Sequence, residues 1–350
     1  MTGRRATTRA RWAGLVTAVS ALVLAGCGGA PAPQQPAAEP GPVTIYSGRS
    51  EELVGPLLAQ LETALGTDVE VRYGSTGEMS AQLLEEGPNS PADVFFGQDA
   101  GALGALSSAG LLAPLPADVV APLPERYRAA DATWVATSAR ARVVAYNPGL
   151  VPEADLPSGV DDLLAPRWKG RLGYAPSNAS WLSFVTGLRL VRGEDGARQW
   201  LTAFAAQQPQ RFDGNGPILD AVAAGTVDAG LVNHYYLYEK TAEVDPATYS
   251  VRNHYVPNDP LGLVNVAGAG VVAASDNQQT AQRAVAFLLS PQAQQYLVDQ
   301  TGEYPVVDGI APTRAYELVS LGSLAPPDVD LADLASLEQT EAMLQQVGLL

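Results

Sequence analysis

The chain has 350 residues and a formal net charge of −16 at pH 7, from 21 Lys and Arg against 37 Asp and Glu. A field of that sign repels phosphate backbones, so nucleic acid is not an expected partner, while cations are favoured. One cysteine excludes an intrachain disulfide, and two histidines leave little material for an imidazole metal site or a catalytic triad.

In chain order, the sequence opens MTGRRATTRARW and continues AGLVTAVSALVLAGC: Arg4, Arg5, Arg9 and Arg11 precede roughly fourteen mostly apolar residues. This is the layout of an export signal, and the apolar run is shorter than the ~20 residues a membrane span needs. It ends at Leu24-Ala25-Gly26-Cys27, which resembles the bacterial lipoprotein lipobox and implies Cys27 as the acylated residue. Removing residues 1–26 takes away four of the 21 basic side chains and none of the 37 acidic ones, which leaves −20. Residues 27–42, rich in Pro and Ala without apolar periodicity, read as a semi-rigid tether. Folding is expected from Val43, and the roughly 300 residues that follow point to two lobes.

VTIY (43–46) is a short strand, and Leu53, Val54, Leu57, Leu58, Leu61 and Leu65 then recur at helical spacing. The order repeats with DVEVRY (68–73), a loop at 74–77 and the helical EMSAQLLEEG, then with ADVFF (92–96) and DAGALGALSSAGLL. Such alternation predicts a parallel sheet flanked by helices, with ligands beyond the carboxyl ends of the strands, hence at loops 47–50, 74–77 and 97–99. WVATSARARVVAYNP (134–148) reads as a long strand crossing between lobes, with Arg140 and Arg142 on one face because strand side chains alternate. A second strand-to-helix loop falls at 175–180, LGLVNVAGAGVVAAS (261–275) reads as a return strand, and NQQTAQRAVAFLLSPQAQQYLVDQ as one helix on the first lobe.

No Walker loop, His-Glu-x-x-His or Gly-x-Ser-x-Gly elbow occurs, and the loose glycine fingerprint at 268–273 is followed too late by a helix to hold a pyrophosphate. The stretch LVNHYYLYEK (231–240) is different. VDAGLVN reads as a strand ending at Asn233, and HYYLYEKTAEV as a helix starting directly after it, with Asn233 as its cap. Within a strand Tyr235 and Tyr236 would face opposite ways; in a helix's first turn both can lean toward the space beyond its N-terminus, where the dipole favours negative charge. Phenol titrates near ~10, so ionisation at neutral pH needs a hard, highly charged cation with a taste for oxygen. An aromatic patch at a helix start is the plainer reading of the tetrapeptide alone. Tyr238, one turn on, is expected to pack.

TIYSGRSEELVGPLL, PADVFFGQDAGALGAL, PRWKGRLGYAPSNASW, GLVNHYYLYE and GEYP occur in the order and at about the spacing of the ferric-iron-binding proteins of ABC transporters, which the chain resembles over nearly all of residues 43–350. The resemblance implies an α/β, two-lobed periplasmic-binding-protein class II fold, with mixed sheets flanked by helices and a ligand cleft between the lobes. Lobe 1 would take 43–139 and about 266–315, lobe 2 about 140–265, and 316–350 would form a C-terminal helical segment. It also implies Fe(III) as transported ligand, held by Tyr235 and Tyr236 as phenolates, with Asn233 helping to hold a synergistic anion such as carbonate or phosphate.

Some members of that family add a His and a Glu ligand, at positions matching Ser50 and Gln98 here; others add a third Tyr where this chain has Asn178. The rest of the coordination would then fall to the anion, water or a chelator. Arg49, Arg140, Asn178 and Asn215, with Asn233, are the expected anion-binding residues. The expected partners are an ABC permease with its ATPase, and the membrane through the lipid anchor only, with a monomeric protein on the outer face of the cell membrane and no catalytic turnover. The alternatives are the same fold serving a polyamine, a phosphonate or another oxyanion, and a cell-surface hydrolase.

Overall fold

The computed structural model describes residues 41–244, 248–314, 316 and 318–350; the expected signal peptide, Cys27 and nearly all of the tether lie outside the described residues. The first half alternates as the sequence pattern requires: β1 (Val43–Ser47), α1 (Glu51–Leu65), β2 (Val69–Tyr73), α2 (Thr76–Glu86), β3 (Val94–Gly97), α3 (Ala100–Ser108), then the short β4 (Leu112–Ala113) and α4 (Ala117–Val120). α1 buries Val54, Leu57, Leu58, Leu61 and Leu65 as one stripe and stops at Gly66 in the left-handed region. α2 begins inside the stretch read as a loop. Ser75 Oγ accepts from Glu78 N–H while Glu78 Oε2 accepts from Ser75 N–H, a reciprocal cap that draws Thr76 and Gly77 into the helix.

β5 (Val135–Tyr146) is twelve residues long and buried throughout. After it come β6 (Leu172–Tyr174), α5 (Ala179–Ala206), β7 (Gln210–Arg211), α6 (Asn215–Ala223), β8 (Ala229–Asn233), α7 (Tyr235–Glu243) and β9 (Arg252–His254). The chain returns through β10 (Val264–Val272), α8 (Gln278–Leu288), α9 (Pro291–Thr301) and α10 (Leu337–Gln346). The single helix read over 277–300 is in fact two, because Ser290 caps α9 by accepting from Ala293 N–H and Pro291 has no N–H to continue α8.

The strands run in the order β2-β1-β3-β10-β5-β8-β6-β7, with β4 on β10 and β9 on β5. β1 pairs in parallel with β2 and β3, and β6 with β7 and β8. β10 and β5 make antiparallel pairs, so the sheet is mixed, not parallel as the opening alternation alone predicted. The glycines of β10 serve close packing: a Cβ on Gly268 would lie 2.6 Å from Val135 O.

One core gathers Ile45, Phe95, Phe96, Val135, Ala139, Val266 and Val271 under α1, α3, α8 and α9. Past Ala141, β5 feeds two others by its alternation: Val144 and Tyr146 join Trp181, Phe184, Trp200 and Phe204 of α5, while Val143 and Ala145 join Ile218 and Val222 of α6. The C-terminal stretch divides between them, with Leu331 and Leu334 in the first core and Met343, Leu344 and Leu349 in the second. β5 therefore runs through all three cores, and the cavity described next lies where it changes neighbours.

Candidate metal and anion site

A cavity of about 300 Å³ is lined by all three loops at the carboxyl ends of β1, β2 and β3: Gly48, then Ser75, Thr76 and Gly77, then Gln98 and Asp99. The β6–α5 loop adds Asn178, Ala179 and Ser180, and the β8–α7 junction adds Asn233, Tyr235 and Tyr236. Ser75, Asp99 and Asn178 are the N-caps of α2, α3 and α5, so three helix N-termini besides that of α7 end at this space. Their partial positive charge favours an anion.

Tyr235 and Tyr236 open α7 and stack with ring centroids 4.5 Å apart at 27°. Tyr235 is buried and Tyr236 half-buried. Burial, followed by Tyr236 beside it, pushes the Tyr235 phenol well above its ordinary pKa, so without a cation it stays protonated. Asn233 does not cap the helix. It is the last residue of β8, paired with Arg142 of β5, and the ladder fixes it in the strand; His234 occupies the cap position without a side-chain cap bond. Tyr238 packs, its hydroxyl donating to Asp299 O at 2.7 Å and its ring lying 3.6 Å from the Arg314 guanidinium.

The strand register adds two arginines to the lining. Arg140 pairs with Asn265 across β10, and Arg142 with Asn233 across β8, so the period-two face read from the sequence brings both guanidiniums to the cavity. Arg142 is 2% exposed; its Nη1 donates to Ser180 Oγ at 2.9 Å and its Nη2 to Leu231 O at 2.7 Å. Burial pulls its pKa down to about 9, with Tyr236 and Tyr235 opposing. Arg140 Nε and Nη2 and Arg142 Nε are buried without a hydrogen-bond partner. Neither arginine belongs to an ion pair among the described residues. Arg142 was not among the expected anion-binding residues, although the alternation that marked Arg140 marks it equally.

Two expected anion-binding residues stand behind the wall and do not line the cavity. Arg49 is fully buried and donates through Nη1 to Glu303 Oε2 at 3.1 Å, which turns its charge inward to a carboxylate. Glu303 also accepts from Ser138 Oγ at 2.5 Å; burial pushes its carboxyl up, but Arg49, Arg140 and Ser138 together hold it below the usual range. Asn215 Nδ2 donates to Asn178 Oδ1 at 3.2 Å and Ser180 Oγ at 3.1 Å, so it braces the α5 N-terminus from behind. Asn178 lines the cavity but spends Oδ1 on capping Ser180 N–H at 2.9 Å. Gln98 lines the cavity; Ser50 is exposed at the start of α1 and does not.

Among the described residues no group of three or more His, Cys, Asp or Glu could hold a metal. What the cavity brings together is two tyrosines and two arginines that keep unpartnered N–H groups, a donor set for a hard cation and an oxyanion together.

A sequence profile described as bacterial extracellular solute-binding protein matches residues 89–330. The chain belongs to this family. Within it, the chain is 34% identical over 310 residues to the Fe(3+)-binding periplasmic protein of Serratia marcescens, covering 88% of this chain and 90% of that one. The crystal structure of iron-bound HitA from Pseudomonas aeruginosa superposes with a TM-score of 0.79 at 34% identity, over 88% of this chain and all of the other. Trichodesmium IdiA (FutA), solved in complex with iron and citrate, gives 0.78 at 28% identity, over 88% and 99%. The two-lobed class II fold and the ferric-binding resemblance read from the five sequence stretches are borne out by these relatives. No helix among the described residues of this solute-binding protein is long and apolar enough to cross a membrane.

Proposed function

We propose that this solute-binding protein captures Fe(III) between Tyr235 and Tyr236 as phenolates, together with a synergistic anion or as a chelate, and delivers it without turnover to an ABC permease driven by a separate ATPase. Cys27 carries the lipid that anchors the protein to the outer face of the membrane, and the protein acts as a monomer. The observation that carries the reading is the company of opposites in one cavity: the stacked phenols at the start of α7 line it together with Arg140 and Arg142, which keep buried N–H groups without partners. Two phenolates leave Fe(III) with one positive charge, and two guanidiniums add to it. An anion such as carbonate, phosphate or a polycarboxylate neutralises both and completes the coordination. Asn233, Asn178 and the α5 N-terminus hold it with Arg140 and Arg142, while Arg49 and Asn215 act from behind.

The names of the relatives, ferric-binding in Serratia marcescens and iron-bound in Pseudomonas aeruginosa, support the cargo, and the citrate of the Trichodesmium structure supports an accompanying anion. The cationic wall argues against a polyamine. It suits an oxyanion cargo without metal, which is the second reading. Replacing Tyr235 and Tyr236 together by Phe keeps the rings and removes only the oxygens: loss of ferric binding with retained anion binding is expected, whereas retained tight ferric binding in the double variant contradicts the site.

A further inference from the structure

His234 has no exposed surface and separates Asn233 from the tyrosine pair. Its backbone N–H donates to Ala141 O at 3.0 Å, and Ala141 N–H donates back to its Nδ1 at 3.2 Å. The β5–β8 ladder, whose last backbone pair is Arg142 with Asn233, thus gains one more rung, in which an imidazole nitrogen replaces a carbonyl. Accepting that N–H leaves Nδ1 bare and puts the ring proton on Nε2. Gly302 O lies 2.9 Å from Nε2 to accept it. The ring also stacks on Tyr304 at 4.4 Å and meets Tyr235 edge-on at 5.9 Å and 90°. The backbone carbonyl accepts from Asn253 Nδ2 at 2.9 Å.

These contacts tie together stretches that each bear on the cavity. Ala141 lies between Arg140 and Arg142, and Gly302 precedes Glu303, the partner of Arg49. α7 has only nine residues and no side-chain cap bond to aim its first turn.

We propose that His234 is a positioning residue, which fixes the distance between the phenol pair and the Arg140–Arg142 pair and registers both against the Gly302–Tyr304 segment. This rests on the tyrosinate reading above. A metal held by protein oxygens and by an arginine-bound anion tolerates little drift in that distance, since displacements near ~1 Å are enough to spoil a preorganised site. The glycine, glutamate and tyrosine of the GEYP stretch thereby acquire parts: acceptor for the imidazole, counter-charge for Arg49, and stacking partner for the ring.

The test uses the mature chain in two variants that each keep one bond. His234→Asn retains an acceptor for Ala141 N–H and loses Gly302 and the stack; His234→Gln reaches Gly302 and releases Ala141. Ferric nitrilotriacetate supplies the metal, and affinity, the phenolate-to-iron absorption band and the melting temperature of the metal-free protein are measured for each. Positioning predicts at least a tenfold loss of ferric affinity and a displaced or broadened band in both variants, and if one variant does not fold the other decides. A variant that melts lower but binds with the wild-type affinity and band makes His234 an ordinary core residue and overturns the proposal. If the wild type itself shows no band, the tyrosinate reading fails. Positioning is then decided in the metal-free protein by amide exchange over residues 231–240: acceleration in the variants supports it, and unchanged exchange overturns it.

Discussion

Arg142→Gln is expected to make the metal-free protein more stable and the loaded protein weaker. Arg142 is buried with no carboxylate beside it, and burial lowers its pKa to about 9. A displacement of that size from the ordinary guanidinium range corresponds to a burial penalty on the order of 5 kcal/mol. The folded pKa lies below the unfolded one, so the penalty is fully present at pH 7 and fades only as the pH rises above about 9. Glutamine removes the charge. It also gives up one of the hydrogen bonds to Ser180 and Leu231 and the placement of the guanidinium against Trp181 and Phe184, 5.9 and 5.6 Å from the ring centroids. Those losses amount to about 2–3 kcal/mol. The net gain, about 2–3 kcal/mol, raises Tm by roughly 3–5 °C in a chain of this length. Calorimetry of the metal-free variant at pH 7, beside titration with iron and phosphate or carbonate, reads both effects, and binding is expected to fall at least tenfold, or about 1.4 kcal/mol. A variant that melts lower than the wild type and binds as tightly refutes the idea that Arg142 waits for an anion.

Ferric affinity is expected to fall as the pH falls, since burial, then Tyr236, holds the Tyr235 phenol well above its ordinary range and loading must displace its proton. With two phenols ionising, the slope approaches about two decades per pH unit between pH 5.5 and 7.5; competition against a chelator of known pH dependence measures it, and a flat profile contradicts tyrosinate binding. Glu303→Gln leaves Arg49 buried without a counter-charge, which costs about 3–5 kcal/mol of stability by urea unfolding. An unchanged unfolding midpoint would mean that the pair contributes nothing.

What could be read from the sequence were features that depend on local periodicity. Alternation of strand and helix put loops 47–50, 74–77 and 97–99 at one end of the sheet, and residues from all three line the cavity. The change of period at Asn233 located the start of α7, and period two placed Arg140 and Arg142 on one face. Features set by partners distant in the chain could not be read this way. Arg49 looked free for an anion because its carboxylate partner lies 254 residues away. Asn233 has the chemistry of a cap, but a β-ladder claimed it. The part played by His234 depends on Ala141 and Gly302, 93 and 68 residues away, which the fold brings to its two nitrogens. The break between α8 and α9 is legible in Ser290-Pro291, a cap residue followed by proline at the first helical position.

The most direct measurement is a titration of the metal-free protein at neutral pH with ferric iron, following visible absorbance and released acid together, with the Tyr235→Phe/Tyr236→Phe variant as blank. If both phenols give up their protons to the metal, one iron should produce a phenolate-to-iron band and about two protons beyond the blank. A protein that takes up iron with no band and no excess acid, or that takes up none, contradicts the account.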